Sequence, residues 1–472
     1  MKQRLHTLLI TLLLVLVIPG TLLCWGFLGQ AQYGDTFMGA LQHKVRLLRE
    51  TEGKRMILVG GSSVAFGIDS SLLEQHFPEY QAVNFGMYAA LGTTVMLDLS
   101  EPYIREGDIV ILLPEQQEQT LSDYFDPSVM WQGVDGAFEL LLSLTPEQQG
   151  MMLGHFPDFA ARKFAYLLRG DSPQPEGVYR RDAFNSSGDL VSALCGQNIM
   201  PGGFDINTPI RFDPDMVTAE FVERVNSYAE SVAASGAILW YGFCPMNAAA
   251  VSDADTANGF YDALQARLSF PILGNPHNSI LEPGWFYDTN FHLNNSGKIV
   301  YTRQLIRDIK AMLLDSSPTR IALPPMPQPA ETELWIGDDS HLDYFRVQQI
   351  DGSVTVTGVT DAGAAQQSLI VPSTWNGEAI TAIAADAFAG CDSLESITVQ
   401  QNIRRIADSA FAGCSLLERI VMQNDSPSHC AVGQGLLDGT NAHIYVSADA
   451  LSRYRTDYFW SIHAQRILPD DT

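Results

Sequence analysis

Ile57-Leu58-Val59-Gly60-Gly61-Ser62-Ser63 is an apolar run that breaks into two glycines and then two serines. A run this short with no polar face reads as a strand buried on both sides, here from Met56 to Gly60. The glycine pair lets the backbone turn sharply and lifts a serine to the start of the next helix. The same pattern recurs along the chain. Asp69-Ser70-Ser71 supplies an N-cap before Leu72 and Leu73, and Ala82 to Phe85 reads as a second strand. Ile109 to Leu113 is a third strand, and residues 119–215 read as an insertion of helical and irregular pieces. Val217 to Ala234 is an amphipathic helix, followed by a strand from Ala237 to Phe243, a helix over about 253–268, a short strand at Pro271 to Leu273 and a last helix from Ser296 to Leu314. Short apolar strands alternating with helices predict an α/β domain over 56–314, with a parallel sheet covered on both faces.

Upstream, Thr7 to Leu28 contains no charged residue. At 1.5 Å per residue such a helix is about 33 Å long, enough to cross a bilayer. Lys2 and Arg4 precede it, so residues 1–29 are expected to be a transmembrane signal anchor with the bulk of the chain outside. The alternative is a cleaved signal peptide, with Gly29 and Ala31 as small residues near a cut and a secreted product. Residues 30–55 read as a charged helical stalk carrying Lys44, Arg46, Arg49 and Glu50. With 28 basic against 54 acidic residues the formal charge is −26, which repels phosphate backbones and argues against nucleic acid as a partner. Six cysteines in 472 residues, none in a C-x-x-C pair, make no disulfide scaffold.

Downstream, five prolines between Pro318 and Pro329 mark an extended linker over 315–333, and no lysine occurs after Lys310. A repeat then appears. Ile380, Ile383, Ala387, Phe388, Gly390, Cys391, Leu394 and Ile397 are matched at a spacing of 23 by Ile403, Ile406, Ala410, Phe411, Gly413, Cys414, Leu417 and Ile420. The pattern resembles the BspA-type leucine-rich repeat, extended by a degenerate copy around Tyr344 to Trp375 and a cap around His443 to Leu468. The resemblance implies a short solenoid over 334–472 that binds a protein or surface partner. Cys391 and Cys414 are expected to stack as small apolar residues in its core, a disulfide being the alternative.

Three segments fall beyond strand ends, where an open parallel sheet places its chemistry. They are the Gly60–Ser63 turn, the run Asn84-Phe85-Gly86-Met87-Tyr88-Ala89-Ala90-Leu91-Gly92, and Asp288-Thr289-Asn290-Phe291-His292. A serine near a glycine turn, with Asp and His late in the domain, is an order that suits nucleophilic catalysis. The arrangement resembles the SGNH (GDSL-like) hydrolases, in particular exported bacterial branches that act on cell-envelope polymers. That resemblance implies a flavodoxin-like three-layer fold. The family's Gly-Asp-Ser maps onto Gly61-Ser62-Ser63, which implies Ser63 as nucleophile, His292 as base and Asp288 as the acid orienting it, with Glu115 in reserve. The implied oxyanion donors are Ala89, Gly86 or Gly92, and Gln116 or Gln117 stands in for the family's asparagine, since the third strand runs into Leu113-Pro114-Glu115-Gln116-Gln117. No motif calls for a metal or a cofactor. The expected activity is that of a membrane-anchored esterase or O-acyltransferase on acylated envelope glycans. The alternative is a non-catalytic surface protein that binds through its repeats.

Overall fold

The computed structural model describes residues 20–21, 23–175, 177–205, 208–328, 336–350, 353–425, 427, 430–433, 435–456 and 460–470. The chain divides into two compact units, 1–330 and 331–472. Most of the run Thr7–Leu28 lies outside the described residues. Among those described, no helix is long and apolar enough to cross a membrane. Residues 23–28 are helical, and the Phe27 ring lies 4.1 Å from that of Phe156 and 5.1 Å from that of Phe138.

Unit 1 is built on a parallel sheet of β1 (Lys54–Gly60), β2 (Tyr80–Gly86), β3 (Ile109–Leu113) and β4 (Ile238–Tyr241), in the order β2-β1-β3-β4. Alternate residues of each strand serve different cores. Ile57, Val59, Val83, Phe85, Val110 and Leu112 join one hydrophobic cluster, while Met56, Leu58, Ala82, Ile109, Ile111 and Leu113 join another. Burial on both faces is why these strands read as unbroken apolar runs. The order reverses direction at β1, which puts a crevice at the carboxyl ends of β1, β2 and β3, where Gly60, Gly86 and Leu113 stand side by side.

The segment expected to be a stalk belongs to this unit. Its helix α1 (Leu41–Glu50) buries Leu41, Val45 and Leu48, and Tyr33 and Phe37 enter the same core. Lys44, read as a surface charge, is fully buried. Its ammonium donates to the carbonyls of Asn84, at 2.9 Å, and Gly188, and lies 4.5 Å above the Phe184 ring. Charge counting along a helix does not see such partners, which come from residues distant in sequence.

Unit 2 is a solenoid of parallel ladders whose partners are offset by the repeat spacing. Ser396 pairs with Arg419 and Ile397 with Ile420 in one ladder, and Ile383 pairs with Ile406 in the other. The degenerate copy begins with an antiparallel hairpin of Phe345–Ile350 and Ser353–Val359, but its strands Ser353–Val359 and Ser368–Ile370 pair in parallel with the next coil, as repeats do. Equivalent glycines Gly390 and Gly413 both adopt φ of +73°, a conformation strained for other residues, and each closes the same corner. The Phe388 and Phe411 rings stack at 5.1 Å, and both are fully buried. Cys391 and Cys414 are buried free thiols, the latter directed at the Phe388 carbonyl at 2.9 Å.

Two outcomes follow from this packing. Phe411→Ala is expected to cost unit 2 about 3–5 kcal/mol, read by calorimetry as a lowered or lost transition. For Lys44, burial first of all, and then the neighbouring charge of Lys298, pull the pKa down to about 7 from 10.5, against the opposing pull of Asp189. The native protein therefore releases this proton near pH 7, while the unfolded chain keeps it to about 10.5, so stability rises with pH across that window. Thermal melts should show the midpoint of unit 1 climbing there, and Lys44→Met should flatten the climb.

Candidate active site

The carboxyl end of β1 turns through Gly60 and Gly61 into helix α2 (Ser62–Gly67). No side chain fits along this turn. A Cβ on Gly60 would stand 2.4 Å from the Leu113 carbonyl oxygen, and one on Gly86 would stand 2.5 Å from the Ala65 nitrogen. A Cβ on Gly61 would meet the Glu115 carboxylate at 2.7 Å and the Ala89 Cβ at 3.2 Å. The close approach fixes where α2 begins, and its first residue faces the crevice.

That residue is Ser62. Its Oγ lies 2.8 Å from His292 Nε2, and His292 Nδ1 lies 2.8 Å from Asp288 Oδ1. With the Nδ1 proton donated to Asp288, Nε2 is left as an acceptor facing the serine. The structure thus places Ser62, not Ser63, against the histidine. Successive helical residues are rotated by about 100°, which carries the Ser63 side chain away from His292. Ser63 Oγ is buried with no hydrogen-bond partner, and the Ser63 N–H donates to Glu115 Oε1 at 2.9 Å. The register that fits the serine is therefore Gly60-Gly61-Ser62, one residue earlier than the resemblance implied.

His292 is held from several sides. Its N–H donates to Thr289 Oγ1 at 3.0 Å, and its carbonyl accepts from the Tyr287 N–H at 2.8 Å. Its ring stacks on Phe66 of α2 at 4.0 Å with the planes 1° apart. The loop carrying it is pinned by Asn290, whose side chain donates to the Asp205 and Thr208 carbonyls. Asn294 then caps helix α3 (Asn295–Met312) by accepting from Ser296 and Gly297.

Sequence reasoning missed Tyr179, from the segment between β3 and β4. Its hydroxyl donates to Asp288 Oδ2 at 2.5 Å and lies 3.3 Å from His292 Nδ1. Burial, and then the adjoining Asp288 charge, push the phenol well above its usual pKa, so it stays a neutral donor. Both oxygens of Asp288 are thereby occupied, which fixes the carboxylate against the imidazole. No local pattern around Tyr179 marks it in the sequence.

The expected oxyanion donors separate. The Gly86 N–H is taken by Asn84 Oδ1 at 3.0 Å, the Gly92 N–H by the Ala89 carbonyl at 3.0 Å, and Gln116 Nε2 by the Arg211 carbonyl at 3.0 Å. Ala89 is the candidate that lies beside the Gly61 turn. Glu115 does not orient His292. It sits on the other side of the serine, accepting from Ser62 Oγ at 3.2 Å. Cys244, at the end of the β4 segment, is buried, and that burial holds its thiol well above the usual range. It is no nucleophile in that state.

Residues 367–441 are a BspA type leucine rich repeat region, matched in six copies. A leucine rich cell surface protein from Faecalibacterium prausnitzii is similar at 19% identity over 22% of this chain and 31% of its own, with a TM-score of 0.17. The protein YxiM of Bacillus subtilis is similar at 11% identity over 56% of this chain and 58% of its own, with a TM-score of 0.26. The chain thus spans about a third of the first and little over half of the second. No curated protein matches it.

The crowding at Gly61 has a direct consequence. Gly61→Ala should force the Glu115 carboxylate off the Ser63 N–H and lower stability by about 1–3 kcal/mol, as overpacking of a filled site does. A denaturant midpoint for the variant equal to the parent's would show that the turn has spare room.

Proposed function

We propose that unit 1 is an SGNH-type serine esterase or O-acyltransferase, exported and tethered through its amino-terminal run, which acts on acylated envelope glycans. The observation that carries this reading is the continuous chain Ser62 Oγ–His292 Nε2 and His292 Nδ1–Asp288 Oδ1, both links at 2.8 Å. A serine hydroxyl is a weak nucleophile until a base takes its proton and an acid orients that base. In this scheme Ser62 Oγ attacks the ester carbonyl carbon and its proton passes to His292 Nε2. Asp288, held by Tyr179, keeps the ring in place and stabilises the imidazolium. The alcohol departs with that proton, and water or a sugar hydroxyl then releases the acyl group from Ser62. The N–H groups of Ser62 and Ala89 are the proposed oxyanion donors. The repeats of unit 2 would bind a partner at the cell surface and bring the enzyme to its polymer.

A second reading, a non-catalytic surface protein, is favoured by one observation. A carboxylate, Glu115, stands beside the serine in the loop after β3, the segment that should supply an oxyanion-binding amide. Labelling with a fluorophosphonate probe separates the two. The expected outcome is labelling of the wild-type chain that is lost in Ser62→Ala and kept in Ser63→Ala. Labelling lost only in Ser63→Ala would restore the other register, and a chain that never labels would favour the surface-binding reading.

A further inference from the structure

Glu115 is the anomaly of the site. It is 4% exposed, and its Oε1 takes hydrogen bonds from the Ser63 N–H and the Ser62 hydroxyl. Three other buried acids of unit 1 are ion-paired, Asp108 with Arg55, Asp135 with Lys163 and Asp98 with Arg224, and Asp189 is held by Ser70, Asn84 and Asn185. Among the described residues no lysine, arginine or histidine forms an ion pair with Glu115. A buried carboxylate is ordinarily compensated by a cation or a metal, and no group of three metal-ligating side chains occurs among the described residues. Attack on an ester builds negative charge on the carbonyl oxygen next to Ser62, so a carboxylate 3.2 Å from that hydroxyl repels it in a buried crevice.

We propose that Glu115 is the recognition residue for esters that carry a positively charged nitrogen beside the scissile carbonyl. This rests on the reading of Ser62 as an esterase nucleophile. The geometry suits the assignment. Glu115 Oε1 lies 3.2 Å from Ser62 Oγ, so a nitrogen attached near the carbonyl carbon falls within hydrogen-bond reach of the carboxylate once that carbon rests on the serine. The cation has two effects. It supplies the missing counter-charge as the oxyanion forms, and it takes the Glu115 oxygen that otherwise competes with His292 Nε2 for the single proton of Ser62. In the step itself, a bond forms between Ser62 Oγ and the carbonyl carbon and the ester C–O bond breaks. The serine proton passes through His292 Nε2 to the departing oxygen, and the ammonium group is unchanged. The nitrogen can belong to the acyl group, as in an aminoacyl ester, or to the alcohol.

The test uses the full-length chain in detergent at near-neutral pH, below the α-amino pKa of about 8. Two isosteric pairs separate charge from shape. Alanine methyl ester against methyl isobutyrate probes the acyl side, and 2-(dimethylamino)ethyl acetate, protonated at this pH, against 3-methylbutyl acetate probes the alcohol side. Each kcat/KM is divided by the ester's rate of alkaline hydrolysis, to remove intrinsic reactivity. The expected result is a preference of about ten-fold or more for the cation in at least one pair, the size of effect seen for close charge pairs. In Glu115→Gln the preference should fall to within about two-fold, and Glu115→Asp should keep its direction. Turnover of both members of each pair at equal corrected rates by the wild-type chain overturns the proposal without any variant. An unaltered preference in Glu115→Gln overturns it as well. A chain that labels at Ser62 but shows no preference leaves the esterase reading standing and removes only this inference. If Ser62 neither labels nor turns over any ester, the esterase reading fails and takes the inference with it.

Discussion

The contact of backbone on backbone at the ends of β1 and β2 is the constraint on which the rest of the site depends. Gly60 lies against the Leu113 carbonyl and Gly86 against the first turn of α2, each so closely that a methyl group would overlap a backbone atom. This approach brings α2 down onto the sheet, so that its first side chain opens into the crevice and its Phe66 ring underlies His292. Interiors are packed at crystal-like density, so a shift of the helix by one methyl would be felt at the serine. The hydrogen-bonded chain from Ser62 to Asp288 is a consequence of glycines that never touch it.

Much of this was legible in sequence, and what escaped did so for identifiable reasons. Apolar runs at 57–60, 82–85 and 109–113 were readable as strands because burial on both faces leaves no polar alternation. The pairing of His292 with Asp288 is likewise readable from their closeness in sequence before the last helix. A Gly-Gly-Ser-Ser string admits two registers, and only the start of α2 sets Ser62 rather than Ser63 against His292. Lys44 was misread because its compensation comes from the carbonyls of Asn84 and Gly188, far away along the chain. Tyr179 and the position of Glu115 were invisible for the same reason, since both are defined by contacts between segments that share no local pattern.

The long connection between β3 and β4 therefore does more than fill space. It supplies Tyr179 to Asp288 and Asp189 to the carboxyl end of β2, where that carboxylate accepts from Ser70 and Asn84. Both carboxylates are fixed by hydrogen-bond donors. Such bonds to charged groups are individually stronger than neutral ones, and they tie the mostly irregular stretch 170–215 of that connection to the sheet.

The ladder offsets in the repeat unit carry a different kind of consequence. Partners in the central rungs stand 23 residues apart, as between Ser396 and Arg419, while Ser368 pairs with Ser396 at 28 and Arg405 with Ala431 at 26. Most of the extra residues are absorbed in the corners, and one is taken up by a bulge at Ile380–Ala382 against Val354 and Thr355. Length in this module is thus modular, since duplicating or deleting one coil changes the solenoid by a single inter-strand step of about 4.8 Å without disturbing its neighbours. Unequal recombination within the repeats would therefore yield shorter and longer solenoids whose coils keep the same nearest-neighbour packing.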